Sequence, residues 1–381
     1  MISPTLLSHL QQIKNWIETD VGNRGFARQP DNLLSRTPHD FAKAVQSFFS
    51  SQSHASDTNS GSGQESSPSR STFLNCSGVA IVTGFVIPVS DPAFASPLPE
   101  TDGPLGALFL AEIFTLLHIP VYLISDAPTI PSLHLGCNYL NLKQIKVVEI
   151  NNEMEVEQFL KSDIYASISH LIAIERPGPN YSLEALQLQT SNPDLLATFS
   201  ETILPEHQNQ IYSMRGICIS SWVAPLHLLF QKNTNRITIG IGDGGNEIGM
   251  GKIPWSVIRN NIVRGDKIAC AVDCDYTIVA GVSNWGGYAL GCAIALLART
   301  ELGIPETIPW HRFEAKKEYD LIDYLVKNGN LIDGVSGKNR VSVDGLDIDS
   351  YLSPLIQIEK LLQNYFTTNN SVHPRIINDM N

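Results

Sequence analysis

Two carboxylates stand four residues apart in a glycine-rich stretch, Gly242-Asp243-Gly244-Gly245-Asn246-Glu247, which runs on into Ile248-Gly249-Met250-Gly251-Lys252. Acids that close repel one another unless a proton, an ammonium group or a metal ion lies between them. Such a turn reads as a general base or part of a metal site, and a plain glycine turn accounts for the glycines but not for the acids. Other polar groups occupy comparable places. Glu100-Thr101-Asp102-Gly103-Pro104 precedes a helical pattern, Asp126 and Glu175-Arg176-Pro177-Gly178 each follow an apolar run, and so does Ser283-Asn284-Trp285-Gly286-Gly287. Each has a structural reading beside the chemical one. Thr101 or Asp102 suits a helix N-cap, Glu175-Arg176 an ion pair between loops, Asn284 a cap and Trp285 packing. The paired glycines imply a close approach to the backbone. Gly240 to Gly245 also fits G-x-G-x-x-G, yet Asp243 and Glu247 would repel a diphosphate, so a dinucleotide-dependent oxidoreductase is the weaker alternative. The ten histidines form no HxxxH or HxH pair and no GxSxG occurs, which leaves a histidine metal site and a serine hydrolase without support.

The elements that must carry these groups follow from the hydropathy pattern. Buried strands are expected at Gly78–Thr83, Val121–Ser125, Ile145–Ile150, Leu171–Glu175, Ile237–Ile241, Ile268–Val272 and Tyr276–Ala280, because continuous apolar runs suit a sheet covered on both faces. Helical spacing lies between several of them, at Gly106–Leu117, Glu153–Leu160, Ala224–Phe230, Trp255–Val263 and Gly287–Arg299, and again from Tyr319 to Lys327 and from Ile348 to Tyr365. Strand and helix in alternation predict an α/β fold, a doubly wound, mostly parallel sheet with helices on both faces. In such a sheet ligands bind beyond the carboxyl ends of the strands, so the polar segments are expected to converge on one cleft. Ahead of this domain (73–381), residues 1–50 read as an N-terminal helical arm with Leu6, Leu7, Leu10, Ile13 and Ile17 at helical spacing. Residues 51–72, with nine serines, read as a flexible linker.

Composition narrows the function. Lys and Arg number 26 against 38 Asp and Glu, a net charge of −12, which disfavours nucleic-acid binding. No apolar run is long enough for a membrane span and the N-terminus lacks a secretory pattern, so a cytoplasmic location is expected. The six cysteines include no CxxC and read as buried, reduced thiols. Oligomeric state is not legible.

Taken together, Glu100–Pro104, Ile174–Arg176, the block from Gly242 to Lys252 and Ala280-Gly281-Val282-Ser283-Asn284-Trp285-Gly286-Gly287-Tyr288-Ala289-Leu290 resemble the C-terminal domain of the D-glutamate cyclase family, over about Val79 to Leu346. The resemblance implies an α/β hydro-lyase that converts D-glutamate to 5-oxo-D-proline and water. In that chemistry the amine needs a carboxylate base and the γ-carboxylate needs its charge taken up. Asp243 and Glu247 are then expected as base or metal ligands. Asp102 and Glu175 would hold the ammonium or share a metal. Arg176, Asn246, Asn284 and the N–H groups of Gly244 and Gly245 would hold the carboxylates, with Thr101, Gly103 and Ser283 alongside. All-oxygen ligands suit Mg²⁺, Mn²⁺ or Ca²⁺, with Asp102, Asp243 and Glu247 as the set. A non-catalytic amino-acid sensor, using the arm to bind a partner, is the other alternative.

Overall fold

The computed structural model describes residues 4–49, 74–89, 97–231, 235–302 and 313–370; the serine-rich stretch expected over 51–72 lies outside them. Among the described residues eight strands run in chain order: β1 (Val79–Thr83), β2 (Val86–Ile87), β3 (Leu98–Pro99), β4 (Val121–Ser125), β5 (Lys146–Glu149), β6 (His170–Ile174), β7 (Ile237–Gly242) and β8 (Tyr276–Val279). Six of them make one sheet in the order β5-β4-β1-β6-β7-β8, every pairing parallel. β2 and β3 form a separate antiparallel ribbon that the hydropathy pattern does not announce.

Side chains alternate across the sheet. Val79, Ile81, Ile172, Ile174, Ile239 and Ile241 face a core shared with the helices Pro104–Leu116, Ser283–Leu302, Ala315–Asn328 and Ile348–Asn370. Ala80, Val82, Ile124, Leu171 and Ala173 face the opposite core, with Phe159, Phe199 and Trp255 from other helices. The expected α/β sheet with helices on both faces is therefore present. The N-terminal helix Pro4–Ile17 buries Leu6, Leu10, Ile13 and Ile17 in the first core, and Gly281 N–H donates to the Ile17 carbonyl at 2.7 Å. A further arm helix, Asp40–Ser47, is held by Asp40, whose Oδ2 accepts from Lys252 Nζ at 2.5 Å and from Thr277 N–H at 2.8 Å. Among the described residues no helix is long and apolar enough to cross a membrane.

Three expected elements differ. β5, expected as a buried strand, lies at the edge of the sheet with Lys146 and Glu149 exposed. Ile268–Val272 is not a sheet strand. Its amides turn instead to the loops around the glycine-rich turn, Cys270 N–H to the Gly245 carbonyl and Ala271 N–H to that of Pro179. Its apolar side chains are buried there, which is why it resembles a strand. Ala224–Phe230 supplies only the one-turn helix Leu228–Gln231. The six cysteines are free thiols, as expected, although Cys218 is exposed.

The close approach implied by the paired glycines is made by a helix. A Cβ on Gly287 would lie 3.0 Å from Cα of Gly106, and one on Gly106 would lie 2.9 Å from Cα of Asn284. The Pro104–Leu116 and Ser283–Leu302 helices thus meet backbone to backbone near their N-termini. Gly106→Ala is expected to lower stability by about 1–3 kcal/mol, since overpacking against main chain outweighs the helix-propensity gain. A thermal melt checks this; an unchanged or raised Tm contradicts the close packing.

Candidate active site

The sheet order reverses between β1 and β6, so a crevice opens beyond their carboxyl ends. The polar segments converge there. Asp102, Asp243 and Asp344 bring one oxygen each within 4.8 Å of one another, and Glu175, Asp243 and Glu247 do the same, with Asp243 common to both sets. Glu100 belongs to the same cluster electrostatically. All six acids are buried. One guanidinium lies among them: Arg24 Nη1 is 2.7 Å from Asp243 Oδ1 and its Nη2 is 2.8 Å from Asp344 Oδ2. Arg24 sits in the loop after the first arm helix, where Asp20 accepts from the Arg24 and Gly25 amides at 2.8 Å each.

Fully ionised, six carboxylates against one guanidinium would leave five negative charges uncompensated, which a buried site does not tolerate. Burial first, then the neighbouring carboxylates, pushes Glu100, Asp102 and Glu175 well above the ordinary carboxylate range. Asp243 moves the same way through burial, against the pull of Arg24. Oδ2 of Asp243 is buried without a hydrogen-bond partner, and Oδ2 of Asp344 has only the ion-pair contact with Arg24. The cluster thus has acceptor capacity for further protons or a cation. Its donor set, oxygen throughout, fits a hard divalent ion.

The acids are not equivalent. Glu247 turns back on its own loop: Oε1 accepts from the amides of Asp243 (3.2 Å) and Gly244 (2.7 Å), and Oε2 from Gly245 (2.8 Å). Its carboxylate holds the turn in shape, a task the spacing alone did not reveal. It also occupies the Gly244 and Gly245 amides that the sequence offered to a ligand. Gly245 has φ +89°, a conformation that a glycine adopts without strain. Asp102 caps the Ser283–Leu302 helix, accepting from Ser283 N–H (2.8 Å) and Asn284 N–H (2.7 Å). Asn284 returns the favour to the other helix, its Oδ1 accepting from the amides of Gly103 (2.9 Å) and Gly106 (2.7 Å). Two helix N-termini are thus capped reciprocally over the cluster. Glu175, at φ +42°, is strained, and its Oε2 accepts from the Ser283 hydroxyl at 2.6 Å. Thr101 donates its hydroxyl to the Ser342 carbonyl, and Asn246 its Nδ2 to the Tyr212 carbonyl.

Arg176 is set apart. Its guanidinium is buried against Asp126 (2.6 Å) and the carbonyls of Gly84 and Ala224, which ties the exits of β1, β4 and β6 together. Of its two sequence readings, an ion pair with another loop is the arrangement found, with Asp126 as the partner.

Sequence reasoning missed Arg24 and Asp344. Neither lies in a patterned segment: Arg24 follows Gly22-Asn23 in the arm, and Asp344 stands in a turn at φ +53°. Also missed was a buried hydrogen-bonded set beneath the capped helix. Glu318 accepts from the Tyr288 hydroxyl, Tyr288 and Tyr351 share a 2.5 Å contact, and Asn284 Nδ2 donates to Tyr351 at 3.1 Å. Burial pushes Glu318 up to about 7, against its bonds to the two tyrosines.

Among known proteins, the family described as D-glutamate cyclase-like, C-terminal, matches residues 13–192 and 187–359. These residues take in both Arg24 and Asp344. The human protein "D-glutamate cyclase, mitochondrial" (Homo sapiens) is 32% identical over 302 residues, which cover 73% of this chain and 44% of the human one. The chain therefore spans less than half the length of that curated relative.

Proposed function

The chain belongs to the D-glutamate cyclase-like, C-terminal family, and from that premise we propose that it is a lyase that cyclises D-glutamate to 5-oxo-D-proline with loss of water. The observation that carries the reading is the buried cluster of six acids around Arg24 at the carboxyl ends of the sheet. Glutamate brings an ammonium group, which the acids suit, and two carboxylates, one of which Arg24 can meet.

In the reaction the α-nitrogen attacks the γ-carboxyl carbon and one carboxyl oxygen departs. An ammonium nitrogen must give up two protons to become an amide, and the departing oxygen needs two to leave as water. No net proton is taken up or released. A group that accepts protons from nitrogen and returns them to oxygen suffices, and a carboxylate with a raised pKa is suited to both steps. Asp243 is our candidate, since its Oδ2 is unengaged. Glu175, held by Ser283, would receive the ammonium, and Arg24 would hold a substrate carboxylate. Glu247, Asp102 and Asn284 keep the turn and the helix ends in place. A divalent ion held by Asp243 with Asp102 and Asp344, or with Glu175 and Glu247, would supply charge neutralisation at the γ-carboxyl.

The strand order is the one found in dinucleotide-binding folds, which favours a second reading as an oxidoreductase. Against it, the G-x-G-x-x-G match begins within β7 rather than after β1, and its turn amides already hold the Glu247 carboxylate. The test is incubation of the purified chain with D- and L-glutamate, with and without Mg²⁺, Mn²⁺ or Ca²⁺, and chiral detection of 5-oxoproline. Formation of the D-product alone is expected. Binding of D-glutamate without product would move the chain to the sensor class, and NAD(P) binding to the oxidoreductase class.

A further inference from the structure

Outside the acidic crevice lies a cavity of about 410 Å³ lined by Thr202, Ile203, Arg215, Gly216, Arg264, Asp266 and Lys267. Three cations and one acid gather here in a chain whose net charge is −12. None of the three cations makes an ion pair among the described residues. Asp266 offsets only one of the three charges, and its Oδ1 accepts from the Lys267 backbone N–H at 2.9 Å. Arg264 takes a left-handed conformation at φ +61°, unusual for a long side chain, and its Cδ lies 3.1 Å from where a Cβ on Gly216 would sit. Lys267 Nζ donates to the Gly216 carbonyl at 3.2 Å and lies 4.6 Å from the centroid of the Tyr212 ring. Two of the cations are thus gathered about one glycine, with the third, Arg215, next to it in sequence.

We propose that this cavity is a binding site for a compact dianion of the phosphate type, free or as the phosphate group of a small metabolite. The residual charge, three positive against one negative, matches a dianion, and guanidinium forks suit its oxygens. The site stands apart from the proposed cyclase chemistry but is joined to it through the chain. From Gly216 the segment runs back to Met214, whose Sδ is 2.5 Å from where a Cβ on Gly244 would sit, and to Tyr212, whose carbonyl holds Asn246. On the other side Arg215 donates to the Val335 carbonyl, in the loop that carries Asp344. A bound dianion would therefore brace the segment that lies against the glycine-rich turn.

The test uses the full chain at pH 7.5 and constant ionic strength. Calorimetric titration and thermal melts with inorganic phosphate are expected to show saturable binding and a rise in Tm that chloride does not reproduce. Arg264→Asn removes a charge while keeping a residue that accepts positive φ, and Lys267→Met keeps the stem over Tyr212. Each is expected to weaken phosphate binding at least tenfold. Phosphate acting no differently from chloride, or binding both variants as tightly as the parent, overturns the site. Glutarate binding tighter than that of phosphate, and weakened by the same two substitutions, overturns the choice of ligand. Both readouts are independent of glutamate turnover.

Discussion

Asp243→Asn is expected to lose about 10²–10⁴-fold in kcat for 5-oxoproline formation while melting at or above the temperature of the parent chain. The substitution removes one ionisable acid from a buried group of six, keeps an oxygen for Arg24 to bind, and deletes the proposed proton carrier. Loss of activity without loss of stability is the behaviour of a group kept for function at the expense of folding. Glu247→Gln is expected to behave the other way. Its two oxygens accept three backbone N–H bonds, and glutamine can offer only one oxygen while placing an NH₂ group against the amides of the turn. The cost is about 1–3 kcal/mol, with the Tm lowered accordingly. Melts and product assays on the two variants, run side by side, decide the matter. A fully active Asp243→Asn enzyme would remove Asp243 from the mechanism, and a Glu247→Gln chain as stable as its parent would remove Glu247 from the turn.

The stability difference between the parent and Glu318→Gln is expected to depend on pH with a definite sign. Buried Glu318 has its pKa raised from 4.5 to about 7, so between those values the folded chain holds a proton that the unfolded chain has released. The favourable contribution is complete below about 4.5 and is lost as pH rises through about 7. It amounts to about 3 kcal/mol. Glu100, Asp102, Glu175 and Asp243 are raised as well and add to the fall in the parent chain. His170, which burial lowers to about 4, works in the opposite sense below pH 6.5, because the unfolded chain then binds a proton that the folded one refuses. The parent profile alone therefore mixes the two, while subtraction of the Glu318→Gln profile isolates one group. Denaturant melts at intervals from pH 4.5 to 8 in the presence of a chelator measure it. A difference that stays flat across this range would mean that Glu318 is ionised in the fold. A divalent ion bound in the carboxylate cluster should raise stability most at the alkaline end, where the acids carry the most charge.

Much of this protein was legible before any coordinates. Continuous apolar runs specify strands buried on both faces, and the helical spacing between them specifies crossovers, so the parallel sheet follows from local pattern and from the handedness of βαβ units. Because every parallel strand points its carboxyl end to the same side, the segments after β6, β7 and β8 had to lie along one edge. Asp243, Glu175 and Ser283 could be grouped on that ground alone. The division of labour among them could not. Whether a carboxylate faces a substrate or its own backbone depends on which amides lie within 3 Å, and in the Gly242–Glu247 turn that is settled by dihedral angles that glycine leaves open. Glu247 and Asp243 look alike in the sequence and differ in the fold for this reason. Arg176 was paired by the exits of three strands rather than by its neighbour Glu175. Arg24 and Asp344 come from the two ends of the chain, 320 positions apart, and meet at 2.8 Å. No local pattern encodes such a meeting. It arises because the amphipathic arm helix and the C-terminal helix bury their apolar faces on the same core, and the loops beside them are carried over the crevice as a consequence.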